Sequence, residues 1–419
     1  MKIKRVTPKP KPQRPSKPPA RRILYTWELG GDYGHIGTFL PLALKLREQG
    51  HEVLFAIKDL SNAETVLGRH GFRWRQAPVW LPNVQGLPKQ PLSYNEILWR
   101  FGFLQKPGLM SMVKGWRELY ADLKPDVIIA DHAPTALLSA RSMNLRRVLF
   151  GTGFCSPPRV VPMPGMRPWL TVPPQRLAES ERIVVQVANS VLADLGAKPI
   201  KAVADLFDAD EDFLCTFPEL DHFPNRGPVR YWGCVFSVDQ GQELPWPEGP
   251  AKRIFAYVKP QYPDFEKVLA ALHASDAAAL VFAPGIARNM VQKYSSPRMT
   301  VITQPIRLAG LLSRCDLAIC HAGHGTIGAM LLAGVPLLLL PTQLEQLLAS
   351  SRVAATGAGA FVKSQKNQTL DYGAILAHML ATPKFAEQAK AFAAKHADFT
   401  QAKQCDSMVQ RMDEILRAS

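Results

Sequence analysis

The chain has 419 residues, of which 47% are hydrophobic and 20% charged. That length predicts two cores, and that composition excludes a disordered, collagen-like or coiled-coil protein. No run approaches the roughly 20 apolar residues of a membrane span, and the charged, proline-rich start lacks a signal-peptide core, so a cytoplasmic protein is expected.

The net charge of +15 is concentrated at the N-terminus. Lys2, Lys4, Arg5, Lys9, Lys11, Arg14, Lys17, Arg21 and Arg22 fall within residues 1–22, with six prolines and no acid. This segment is predicted to be an extended tail with the charge for weak peripheral contact with anionic lipid. The rest of the chain is too nearly balanced to suggest a nucleic-acid binder. Cys155, Cys215, Cys234, Cys315, Cys320 and Cys405 are scattered without CxxC spacing, so free thiols are expected.

A strand at Ile23 to Trp27, a glycine turn and a helix through Leu46 open the folded part, closed by Gly50. The next strand, Glu52 to Ala56, follows directly. Helix Met112 to Leu123, strand Asp126 to Ala130, helix Pro134 to Met143 and strand Arg146 to Phe150 repeat the order, the pattern of a parallel sheet covered by helices. Residues 72–110 carry Phe72, Trp74, Trp80, Tyr94, Trp99, Phe101 and Phe103, which form either a lined pocket or a buried cluster under a loop. The stretch SVDQGQELPWPEGP is read as a linker over 237–250, dividing an N-terminal domain, 23–236, from a C-terminal one, 251–419, that includes the terminal helices. In the second domain strands are expected at Arg253 to Val258, Ala279 to Ala283, Thr300 to Thr303, Leu317 to His321 and Pro336 to Leu340. Helices are expected at Pro263 to His273 and Thr326 to Ala333. The fold class is α/β, with two Rossmann-like, doubly wound domains facing a central cleft.

Two loops carry candidate chemistry. In HAGHGTIGAM, from His321, a strand turns on glycines into a helix whose first amides, at Gly325 and Thr326, suit an anion. Gly323, Gly325 and Gly328 also satisfy GxGxxG, with Glu345 roughly where a dinucleotide-binding acid would stand, which keeps an NAD-dependent oxidoreductase open. The other loop, Gly30 to Gly37, places His35 at a helix start, where an imidazole can take a proton from a hydroxyl. Asp131, ending another strand of the same sheet, is positioned to hold that imidazole. The DxD of Asp208 and Asp210 lies in an acidic run and is set aside as a metal site, and His321 with His324 lacks a third ligand at useful spacing.

These residues resemble the GT-B glycosyltransferases of the UDP-glycosyltransferase superfamily, in particular bacterial members acting on natural products and lipophilic acceptors. The C-terminal signature is matched by His321, Ala322, Gly323, His324, Gly325 and Thr326, then Gly334-Val335-Pro336, Pro341 and Glu345-Gln346. The N-terminal Gly34-His35 loop, the segment GHEVLFA from Gly50 and the strand-end Asp131 are similar as well. The resemblance implies an acceptor-binding N-terminal domain and a nucleotide-sugar-binding C-terminal one. It implies that His321 and the amides of Gly325 and Thr326 hold the diphosphate, with Gly323 in the same donor site, that Glu345 and Gln346 bind sugar hydroxyls, and that His35, oriented by Asp131, deprotonates the acceptor. The expected reaction is inverting hexosyl transfer to a hydroxyl of a small lipophilic or aromatic acceptor, without metal or resident cofactor, from a UDP- or dTDP-hexose.

The chain departs from that pattern in three places. Ala329 stands where plant and animal members carry a ribose-binding glutamate, Val301 to Ile306 lacks the base-stacking tryptophan, and Lys259-Pro260 replaces a small turn after the first C-domain strand. The base and sugar of the donor therefore stay open, as does a non-catalytic, degenerate GT-B binding protein.

Overall fold

A computed structural model describes residues 20–31, 34–237, 241–248, 252–308, 310–363 and 369–418. Most of the predicted tail, residues 1–19, and linker residues 238–240 and 249–250 lie outside the described residues.

The N-terminal half runs β1 (Arg22–Trp27), α1 (Gly34–Glu48), β2 (Glu52–Ile57), α2 (Ala63–Val66), β3 (Arg73–Gln76), α3 (Tyr94–Leu98), α4 (Lys106–Leu123), β4 (Val127–Asp131), α5 (Pro134–Ser142), β5 (Arg146–Gly151), α6 (Pro174–Asp194) and β6 (Glu211–Leu214). The C-terminal half runs β7 (Arg253–Tyr257), α7 (Phe265–Ala274), β8 (Ala278–Phe282), α8 (Arg288–Tyr294), β9 (Met299–Ile302), β10 (Leu317–Cys320), α9 (His324–Leu332), β11 (Leu337–Leu339), α10 (Leu344–Thr356), β12 (Gly359–Phe361), α11 (Tyr372–Ala381), α12 (Pro383–Lys395) and α13 (Gln401–Arg417). The sheets order as β3-β2-β1-β4-β5-β6 and β12-β11-β10-β7-β8-β9. Every pairing is parallel. Counted within each domain, both follow the doubly wound order 3-2-1-4-5-6, so each reverses direction beside its first strand, at β1/β4 and β7/β10.

The central strands are apolar on both faces because helices cover both. Leu24, Leu54, Ile128 and Leu149 pack into one layer of the first sheet, and Ile23, Tyr25, Phe55, Val127 and Ile129 into the other. The second sheet divides the same way, with Ile254 and Ala256 against one layer and Phe255 against the other.

Some expectations shift. The first strand starts at Arg22, one residue inside the predicted tail, because its guanidinium binds Glu52 Oε2 and the Leu123 carbonyl, both at 2.7 Å. The acidic run leads into β6, which is not among the expected strands, and Asp210 accepts the Arg147 amide at 3.0 Å. The aromatic stretch is mostly the buried-cluster alternative: Tyr94, Trp99 and Phe103 sit in the core with Trp116 and Tyr120. Helix α13, assigned by sequence to the C-terminal domain, packs instead in the N-terminal core. Its Cys405, Met408, Val409 and Met412 form one apolar stripe at helical spacing, and Asp413 reaches the buried His51 Nε2 at 3.2 Å. Among the described residues no helix is long and apolar enough to cross a membrane.

Candidate functional site

At the first switch point Trp27 and Asp131 are partners in register at the carboxyl ends of β1 and β4. The loop after Trp27 carries His35 back over the sheet, and its Nδ1 meets Asp131 Oδ2 at 2.9 Å. With Nδ1–H donating to the carboxylate, Nε2 keeps the free lone pair that can accept a proton. Three neighbours hold this pair. Tyr25 donates its hydroxyl to the same carboxylate oxygen at 2.7 Å, and burial, with Asp131 beside it, pushes that phenol well up, so it stays a donor. Trp27 stacks on the imidazole with ring centres 4.9 Å apart. Gly30, at φ +82°, gives the ring room, since a Cβ there would stand 2.4 Å from Nε2.

Glu28, next to Trp27, does different work. Its carboxylate accepts from the amides of Thr135 at 3.0 Å and Ala136 at 2.6 Å and from the Thr135 hydroxyl at 2.6 Å, tying the β1 end to the start of α5. Burial pushes the Glu28 carboxyl up to about 7, against these donors.

At the second switch point β10 ends in Cys320, Ala322 turns at φ +60°, and Gly323 caps α9. His321 sits beneath this turn, with Nδ1 at 3.0 Å from the Leu340 carbonyl and Nε2 accepting the Lys259 amide at 2.9 Å. Both ring nitrogens thus brace the turn after β7 and the end of β11. The other glycines have packing reasons. A Cβ on Gly325 would lie 3.0 Å from the Val235 carbonyl, and one on Gly328 2.7 Å from Cys234, because the chain crossing between the domains lies against α9. Those close approaches account for Gly325 and Gly328 without a dinucleotide. Gln346 folds back so that Oε1 accepts from the Thr342 amide at 2.9 Å and hydroxyl at 3.0 Å.

A file of rings joins the two switch points. His35 and His132 are 6.5 Å apart, His132 and Phe154 5.8 Å, Phe154 and His222 5.8 Å, and His222 and His324, in the first turn of α9, 5.4 Å. His222 Nε2 meets Glu345 Oε1 at 3.2 Å from the opposite domain. Burial would raise the Glu345 carboxyl, but that hydrogen bond, with His222, His324 and His35 nearby, holds it below its ordinary value. Desolvation drives His132 down to about 3, helped by His35, and His324 to about 4, helped by His222.

The C-terminal half matches the model of the erythromycin biosynthesis protein CIII-like C-terminal domain family over residues 266–411. A PGL/p-HBAD biosynthesis glycosyltransferase of Mycobacterium tuberculosis is 23% identical over 408 residues, covering 91% of this chain and 90% of that protein. Among solved structures, the kitacinnamycin glycosyltransferase superposes with a TM-score of 0.68 at 18% identity, covering 94% of this chain and 100% of the other. Glycosyltransferase VinC in complex with dTDP gives 0.66 at 17% identity, covering 94% and 99%. The spinosyn rhamnosyltransferase SpnG with spinosyn aglycone gives 0.61 at 17%, covering 94% and 100%. The protein is a glycosyltransferase of the GT-B fold.

In this glycosyltransferase the residues singled out by sequence fall at the two facing switch points. His35 and Asp131 are paired, Gly323, Gly325 and Thr326 open α9, and Glu345 and Gln346 lie in the first turn of α10. His132, Phe154 and His222 escaped the sequence reading. The signal for His132 was its place directly after a strand-end aspartate, and nothing local marks the other two. Tyr257 and Phe282, stacked at 5.2 Å on the ends of β7 and β8, were missed as well.

Proposed function

We propose that this glycosyltransferase moves a hexose from a nucleoside diphosphate donor to a hydroxyl of a small lipophilic or aromatic acceptor, with inversion and without a metal. The observation that carries the reading is the His35–Asp131 pair, 2.9 Å apart at the first switch point and linked by the file of rings to His324 at the start of α9. Asp131 fixes the tautomer and stabilises the imidazolium that forms as Nε2 takes the acceptor proton. The acceptor oxygen attacks from the N-terminal side while the diphosphate leaves toward the C-terminal side. Attack and departure on opposite faces of the anomeric carbon invert it.

The leaving diphosphate gains negative charge, which the amides of Gly325 and Thr326 and the α9 dipole stabilise in place of a metal. His321 supports that seat by bracing the turns on either side of it. The Tyr257–Phe282 pair offers an aromatic face for the base where the sequence lacks a tryptophan. The dTDP and spinosyn aglycone named with the structural neighbours support a dTDP-sugar donor and a carbon-rich acceptor, with UDP-hexoses as the alternative donors.

The test is transfer from dTDP- and UDP-hexoses to a panel of phenolic and aliphatic alcohols in EDTA, with product configuration read by NMR. Product of inverted configuration, formed in EDTA and lost in His35→Ala, is expected. Retained configuration or a requirement for added divalent cation would overturn the reading.

A further inference from the structure

The loop that delivers His35 begins Leu29-Gly30-Gly31, and two adjacent glycines give it little stiffness of its own. Three hydrogen bonds fix its described part. The Leu29 amide donates to the His132 carbonyl at 3.0 Å, and the Leu29 carbonyl accepts the Trp27 indole N–H at 2.6 Å. Both partners belong to the ends of β1 and β4, the strands of the switch point itself. The third bond comes from outside that pair of strands. Ile57 of β2 is the register partner of Trp27, and Lys58, the next residue, donates Nζ to the Gly30 carbonyl at 2.7 Å. The same ammonium stands 5.9 Å from the centre of the Trp27 ring, the indole that stacks on His35. Lys58 therefore bears on both neighbours of the imidazole: the indole beside it, and the glycine against which Nε2 rests. Among the described residues Lys58 forms no ion pair, so these contacts do not come from charge pairing at the surface. Burial draws its ammonium below the ordinary lysine value, with Asp59 opposing, as expected of a cation partly removed from water.

We propose that Lys58 is a positioning residue for the transfer, holding the Gly30 carbonyl and facing the Trp27 indole so that the glycine loop keeps His35 Nε2 in one place. The proposal rests on the reading of His35 as the base and adds the group that steadies the loop beneath it. Asp131 fixes the Nδ1 edge of the ring, but it makes no contact with residues 29–31 that would hold the Nε2 edge. Lys58 supplies that second restraint. A hydrogen bond from a charged donor is stronger than one from a neutral group, and proton transfer has a narrow geometry in which a shift of about 1 Å can cost up to about a hundredfold in rate.

The experiment compares wild type with Lys58→Met, which keeps an unbranched side chain and removes the ammonium, and with Lys58→Arg, which can donate to the same carbonyl. In Lys58→Met kcat should fall about tenfold, while the donor KM, dTDP or UDP affinity by calorimetry and the melting temperature stay as in wild type. Lys58→Arg should recover most of the loss. In the His35→Ala background, whose residual transfer is followed over hours, Lys58→Met should cost nothing further, because the group it positions is gone. An unchanged kcat in Lys58→Met, an effect confined to donor KM or nucleotide affinity, no recovery in Lys58→Arg, or the same tenfold loss without His35 would overturn the proposal. Lys58→Gln gives the same comparison if Lys58→Met fails to fold. Wild-type turnover in His35→Ala, or no transfer by the wild type from any nucleotide sugar, would instead sink the parent reading.

Discussion

The two switch points share a strand order and differ in what they place there. At β1/β4 the chemistry lies in side chains: an imidazole, a carboxylate, a phenol and an indole, each fixed by the next. At β7/β10 it lies in backbone, with a left-handed Ala322, a glycine cap and the first amides of α9, while His321 is spent on bracing. A group that moves a proton needs a basic nitrogen held in one tautomer, which buried partners supply. A group that receives a diphosphate needs several donors and no steric bulk, which a helix start supplies. Topology sets where the site is; the residues at the strand ends set what it does.

This contrast can be broken first at the base. His35→Ala should lower kcat by at least about a hundredfold while leaving nucleoside diphosphate affinity unchanged, as read by steady-state kinetics and calorimetry. Gly30→Ala should follow it, since the new methyl meets Nε2.

Buried charge at the first switch point should also make that domain's stability depend on pH. A carboxyl raised to about 7 binds its proton more tightly folded than unfolded. The contribution of Glu28 is therefore fully present below its unfolded value near 4.5 and is lost as pH rises through about 7. Relative to Glu28→Gln, the wild type should lose up to about 3 kcal/mol between pH 4.5 and 8, measured by urea unfolding.

The second switch point is sharpened by its glycines. Gly328→Val should cost ~1–3 kcal/mol of stability because its Cβ enters Cys234. Gly323→Ala meets only Thr326 Oγ1, at 3.9 Å, so it should keep its melting temperature and weaken nucleoside diphosphate binding. The smallest effect is expected for Gln346→Ala, which removes the bonds to Thr342 and should cost about 1 kcal/mol of stability.

Much of this was legible in the chain. Apolar strands such as Ile23 to Trp27, glycine turns and strand-end polar residues mark the sheets, the switch points and the His35–Asp131 pairing, because those signals are local. The edge strands β3 (RWRQ) and β6 (EDFL) lack that signature, being polar and half-covered. Helix α13 shows its apolar stripe in sequence but not which domain receives it. His222 is invisible for the same reason: its partner Glu345 is more than a hundred residues away, and only the closure of two domains brings them together. His321 reads as a phosphate ligand from its motif, yet its bracing role depends on Lys259 and Leu340, on two other strand ends.

The central claim is a division of labour, with the nucleotide held by α9 and the proton taken by His35. Calorimetric titration with dTDP, UDP, GDP and NADH in EDTA, on wild type, His35→Ala and Gly323→Ala, tests it most directly. The account predicts that a nucleoside diphosphate binds without metal, equally well to wild type and His35→Ala and more weakly to Gly323→Ala. Binding of NADH alone, or nucleotide affinity that falls with His35 and not with Gly323, would contradict it.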